Sequence, residues 1–272
     1  MRPSLEQRIL EFIRDAEAAD FEQLALELFA DQYERLDDYR SVCRAVGVAP
    51  SSIRDWREIP VGSAAPGEAD SWLRSVAALA VPELFRNGSS SLILSTERDA
   101  APLLSVLAES VGEGGFTASG RLDGHAVRSW LATRQRDRRP VRIAASDSGL
   151  DGLLEFLDRR SLKFRLPPGS GCYRVGPAET VGGADWSSAL AEFLGLSPDG
   201  CRCLVCEPVV TPLLEAAPPA TGFSLPHWVR PVGRGPGDVT LVDLAALRQP
   251  LHFGLPATAG IDAAGRLVLG RS

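Results

Sequence analysis

The chain reads as an α/β protein in three stretches: a helical amino-terminal cap (1–62), a mixed sheet flanked by helices (63–220) and a small carboxyl-terminal β module (221–272). Three observations predict this. Apolar residues recur at helical spacing through the first 46 residues. From Ser91 to Cys206, short apolar runs suited to buried strands alternate with amphipathic segments, the pattern of a parallel or mixed sheet with helices on its faces. After Phe223, two apolar segments flank a turn built from Gly233, Gly235, Pro236 and Gly237.

In the first stretch, Leu5, Ile9, Leu10, Phe12, Ile13 and Ala16 mark a helix over residues 4–18, and Leu24, Ala25, Leu28 and Tyr33 mark another over 21–36. A short third helix over 38–46 ends at Gly47. Residues 62–70 are small and polar, a loop. The second stretch then gives a helix over 72–85, a strand at 91–95, a helix over 101–111, a break at 112–115 and a strand at 116–119. Next come a helix through Val127 and Leu131, a strand at 141–145, a helix over 150–159, a strand at 172–175, a helix over 184–194 and a strand at 201–206. In the third stretch, Trp228 to Val232 and Val239 to Leu244 form a strand pair, followed by short strands at 251–253 and 266–269.

Composition bounds the function. Of 272 residues, 44% are hydrophobic and 24% charged, ordinary for a globular protein with a sizeable core. A net charge of -6 argues against unspecific binding to nucleic acid or to an anionic membrane, since both require surplus cations. The chain shows no apolar run of about 18 residues and no basic, then apolar, then small-residue leader, so a cytoplasmic location is expected. Five cysteines in so large a chain read as reduced thiols rather than a disulfide framework. Lys163 is the only lysine beside 28 arginines, so any mechanism that needs a lysine has one candidate.

Both ends carry recognisable words. FEQLALELFADQYERLDDYRSVCRAVGV, with Trp56 and Ile59-Pro60 behind it, opens the chain. Pro226-His227-Trp228-Val229-Arg230, Asp243-Leu244-Ala245 and Gly270-Arg271 close it. This arrangement resembles the acyl-protein synthetase family, the fatty-acid-activating branch of the adenylate-forming enzymes. The resemblance implies the large domain of such an enzyme; the chain stops just past Gly270-Arg271, so the mobile carboxyl-terminal lid is expected to be missing.

The family's chemical words are altered. Its Ser-Ser-Gly-Thr-Thr-Gly phosphate loop has no counterpart; Asn87 to Ser91 and Thr117 to Gly120 are the nearest compositions, and each reads as a solvated turn. Where the resemblance places Gly-Gly-x-Lys, the chain has Gly176-Pro177-Ala178-Glu179, an acid in place of a cation near phosphates. Where it places Glu-Tyr-Gly-Met-Thr-Glu, the chain has Glu207-Pro208-Val209-Val210-Thr211-Pro212, which loses the closing glutamate that helps to hold magnesium. No carboxylate occurs from Gly254 through Ile261, where the family's Thr-Glu-Asp-Leu-Gly turn grips ribose.

The resemblance, less these words, implies a fold kept without its adenylating site: no cofactor, no metal, and a remnant cleft bordered by Gly176, Glu207, Thr211 and Arg230. It implies a partner, regulatory or stabilising subunit of a bacterial biosynthetic enzyme, with a protein partner or oligomer, room for a small-molecule ligand, and no nucleic acid or membrane. The alternative is an enzyme that uses the old acyl cleft for ATP-independent acyl transfer or cyclisation.

Three other constellations stand out. Cys201, Cys203 and Cys206, joined by Cys172, His227 or His252, have ligand types for zinc, but a strand sends residues 201 and 203 to one face and 206 to the other, so small buried residues are the simpler reading. Asp123 and His125 are either an acid/base pair or surface residues. Ser146, Asp147 and Asp151 follow the strand at 141–145, where ligands bind in open α/β sheets; Ser146-x-Ser148 is equally an ordinary helix cap. No Gly-x-Ser-x-Gly elbow is present, so a serine hydrolase is unsupported.

Overall fold

A computed structural model describes residues 3–63, 70–85, 90–95, 102–114, 121–177, 186–207, 213–215, 222–233, 237–255 and 258–269. The chain forms two compact units, one of Met1–Gly67, Glu207–Thr211 and Gly222–Ser272, the other of Glu68–Cys206 and Pro212–Thr221.

In the first unit, α1 (Leu5–Arg14) opens with a reciprocal cap between Ser4 and Gln7. It stops four residues earlier than its apolar spacing predicts, because Asp15 turns the chain and Asp20 caps a new helix, α2 (Phe21–Arg35). α3 (Asp37–Ala45) ends where expected: Gly47 sits at φ 73, and the Val48 N–H reaches back to the Cys43 carbonyl.

The carboxyl-terminal strands of this unit form two antiparallel sets. β8 (Val229–Val232), β9 (Thr240–Asp243) and β10 (His252–Gly254) make one sheet, with β9 central. β12 (Leu267–Leu269) pairs with both β7 (Gly222–Ser224) and β11 (Ala259–Ile261). The two three-residue strands β7 and β11 have no apolar alternation to predict them. Buried Gln32 joins the helices to the strands: its amide donates to the carbonyls of Ala246 and Gln249 (2.5 and 2.6 Å) and accepts from the Leu251 N–H (3.0 Å). The cap and the β module therefore form one body around Phe21, Phe29, Phe223 and Phe253.

The second unit is helices on a sheet. β1 (Ser90–Leu94) pairs in parallel with β2 (Gly112–Gly114) on one side and β3 (Val141–Ala145) on the other, and β3 pairs in parallel with β4 (Gly171–Pro177). β5 (Cys201–Glu207) lies beside β4 and carries antiparallel β6 (Leu213–Glu215). Where a break was expected at 112–115, Gly112–Gly114 form an edge strand. Gly112 makes it possible, because a Cβ there would lie 2.2 Å from Cγ1 of Ile93. The strand expected at 116–119 lies outside the described residues.

Period-two alternation assigns the faces. Ile93, Ala144, Tyr173, Val175 and Leu204 pack under α4 (Ser71–Ala80), α5 (Pro82–Phe85) and α6 (Pro102–Ser110). The apolar spacing predicts one helix across α4 and α5; Pro82 lacks an N–H and disfavours helical geometry at the residue before it, and the helix breaks at Val81. α7 (Gly124–Asp137), α8 (Asp147–Arg159) and α9 (Trp186–Leu194) complete the unit, and α8 packs on β3, β4 and α9.

Candidate functional site at the carboxyl ends of the parallel strands

In a parallel sheet the carboxyl ends of the strands face the helix amino termini, which is where ligands are held. Here that edge is defined by Leu94, Ala145 and Arg174, which lie in register across β1, β3 and β4. The chain leaves β3 and enters α8 at once. The Ser146 N–H donates to the Leu94 carbonyl (2.8 Å), and buried Ser146 Oγ accepts from the Gly149 N–H (3.2 Å), while the Ser148 hydroxyl lies 3.3 Å away. Gly149 has to be glycine, since a Cβ would lie 2.3 Å from the Leu94 carbonyl oxygen. Ser146 is therefore spent on the cap.

Arg174, inside the otherwise apolar β4, donates to Asp147 at 2.5 Å. Burial opposes its charge, but the hydrogen bond and negative charge of Asp147, aided by Cys203 and Asp151, outweigh that and raise its pKa. The sequence reading passed over this residue, although a lone arginine in the run CYRVG signals a buried partner. Gly176 follows on the same strand and is buried.

The other members of the predicted cleft are Glu207, Thr211 and Arg230. Glu207 ends β5, and Thr211 lies outside the described residues. Arg230, half-buried on β8 of the other unit, stacks its guanidinium over Phe21 at 4.1 Å and over Trp56 at 5.9 Å. In the same unit, His252 is held at both ring nitrogens: Nδ1 lies 2.5 Å from the Ile59 carbonyl, and Nε2 lies 2.6 Å from Thr240 Oγ1. A carbonyl only accepts, so Nδ1 carries the proton. His227 Nε2 lies 2.6 Å from the Phe12 carbonyl.

Asp123 Oδ1 accepts from the His125 and Ala126 N–H groups as the cap of α7, while His125 is exposed. Cys172, Cys201 and Cys203 share the sheet face opposite Tyr173 and are buried. Burial, together with the neighbouring Cys201 and Cys203, pushes the Cys172 thiol well above its ordinary pKa, the reverse of what a metal-binding thiolate requires. Among the described residues, no group of three His, Cys, Asp or Glu side chains is arranged to hold a metal ion. Lys163 pairs with Glu192 at 2.8 Å in the segment between α8 and β4, at the amino ends of the strands. None of the described helices is long and apolar enough to cross a membrane.

No protein-family model matches the chain, and no curated protein matches it either. Among solved structures, an open conformation of 2-hydroxyisobutyryl-CoA ligase in complex with 2-HIB-AMP and CoA aligns with 94% of this chain and 74% of that one, with a TM-score of 0.59 and 13% identity. The chain shares its fold with that ligase. At this identity the likeness concerns the fold alone. The mixed α/β architecture expected from the sequence is the one observed.

Proposed function

We propose that the chain is a non-adenylating relative of the acyl-protein synthetases that acts through a protein partner, as a regulatory or stabilising subunit of a biosynthetic enzyme. The observation that carries this reading is the disposition of cations. Adenylation gathers triphosphate charge at the carboxyl ends of the strands and needs unspent positive groups there. In this chain Arg174 is committed to Asp147, and Arg230 stacks on Phe21 and Trp56. The single lysine is paired with Glu192 at the amino ends of the strands. Glu179 stands where the resemblance calls for a lysine, and Pro212 where it calls for a magnesium-binding glutamate. The related ligase fold supports the descent.

ATP–pyrophosphate exchange, measured with a panel of carboxylic acids, tests the reading. Exchange at the level of the protein-free blank is expected; turnover with any acid overturns it. Co-purification with the products of neighbouring genes tests the partner role, and a protein that remains monomeric and alone in that assay counts against it.

A further inference from the structure

The helix-to-strand turns of the second unit bring two arginine-rich segments to the amino ends of its strands. Residues 134–142 and 158–165 together hold nine cations against two carboxylates, in a chain whose net charge is -6. The segments meet where the Arg165 N–H donates to Gln135 Oε1 (2.7 Å); the first also bonds to the chain that follows the second, the Val141 N–H to Ser170 Oγ (3.1 Å) and Arg142 to the Gly169 carbonyl (2.5 Å). Arg134, Arg159 and Lys163 are neutralised by Asp137, Glu155 and Glu192. Arg136, Arg138, Arg139 and Arg160 are exposed, and none pairs with a described carboxylate.

Cations are favoured at helix carboxyl termini, which accounts for Arg134 and Arg159 in the last turns of α7 and α8. The same preference covers Arg138, the capping residue of α7. This residue holds the left-handed cap of α7, at φ 54 and ψ 19, a conformation that glycine adopts without strain and an arginine does not.

Resting on the reading of the chain as a partner subunit, we propose that this basic pole docks an acidic protein surface. Guanidinium groups engage carboxylates in paired hydrogen bonds, and the pole is almost entirely arginine. The charge outside it is negative, so a duplex or a bilayer that extends past the pole meets repulsion, whereas a folded acidic face of matching size does not.

Fluorescence anisotropy with a labelled oligoglutamate peptide tests the proposal. The intact chain binds the peptide at low salt, and binding weakens as salt rises. R138E/R139E weakens binding about tenfold, whereas R14E/R44E, with equal charge change on the other unit, stays within about twofold. R138G weakens binding about threefold yet raises the thermal midpoint, because the strained cap is relieved. Equal losses in both double variants overturn the proposal, as does tighter binding of long duplex DNA or of phosphatidylserine vesicles than of the peptide. Absent peptide binding with a silent exchange assay sinks this inference alone; pyrophosphate exchange with peptide binding intact sinks the parent reading alone.

Discussion

Gln32 ties the helices of the first unit to its strands. Its amide satisfies two carbonyls and one N–H in the connection between β9 and β10. Gln32→Leu keeps the volume but strands three buried backbone groups, so a loss of about 3 kcal/mol is expected, read as a lower urea midpoint with unchanged slope. His252 gives this unit a pH dependence. Burial lowers its pKa below 6.5, against the opposing hydrogen bond to Ile59. In the window between the lowered folded value and the unfolded value of about 6.5 the unfolded chain binds more protons. Its contribution is therefore complete above pH 6.5 and is lost as pH falls through the folded value. The stability gap between the intact chain and His252→Phe is expected to be wider at pH 7 than at pH 5; equal gaps contradict the assignment. Neither role was legible in the sequence, because both depend on backbone carbonyls supplied by segments remote in the chain.

Elements were legible where one local rule governed them. The second and third helices, the Gly47 stop and the strands at 141–145, 172–175 and 201–206 appeared as expected, whereas the first helix ended early and the one over 72–85 broke at Val81. Short edge strands did not: three residues such as Gly112–Gly114 carry no period, and their pairing is set by what lies beside them. Two glycines of α8 separate local propensity from packing. Gly149 and Gly152 are both helical, so propensity alone favours alanine at each by about 0.5–1 kcal/mol. A Cβ at Gly152 meets nothing within 4 Å, whereas one at Gly149 meets the Leu94 carbonyl at 2.3 Å. Gly152→Ala is expected to stabilise by that amount and Gly149→Ala to destabilise by about 2 kcal/mol, since the obstacle is backbone. Thermal unfolding of both variants checks the pair; shifts of the same sign would show that α8 does not sit against the end of β1 in this way.

Across the whole molecule, the fold was more legible than the site. Apolar patterning is distributed over many residues and survives substitution, so the architecture could be read at 13% identity to a solved ligase. A site rests on a few groups, and here the sequence offered mainly departures from a family's words. The resemblance nominated Gly176 and Arg230, and Asp147 stood out at a strand's carboxyl end, while its partner Arg174 did not. Charge distribution is a molecular property that the total conceals. A net charge of -6 predicts retention on an anion exchanger at neutral pH and none on a cation exchanger. A chain that gathers nine of its cations in residues 134–142 and 158–165 behaves differently, because a surface patch meets the resin before the average does. Retention on both resins at low salt is expected. R138E/R139E should abolish retention on the cation exchanger and strengthen it on the anion exchanger, while R14E/R44E, with the same net charge, should change only the second. If the two variants elute alike from both columns, the arginines do not act as one pole.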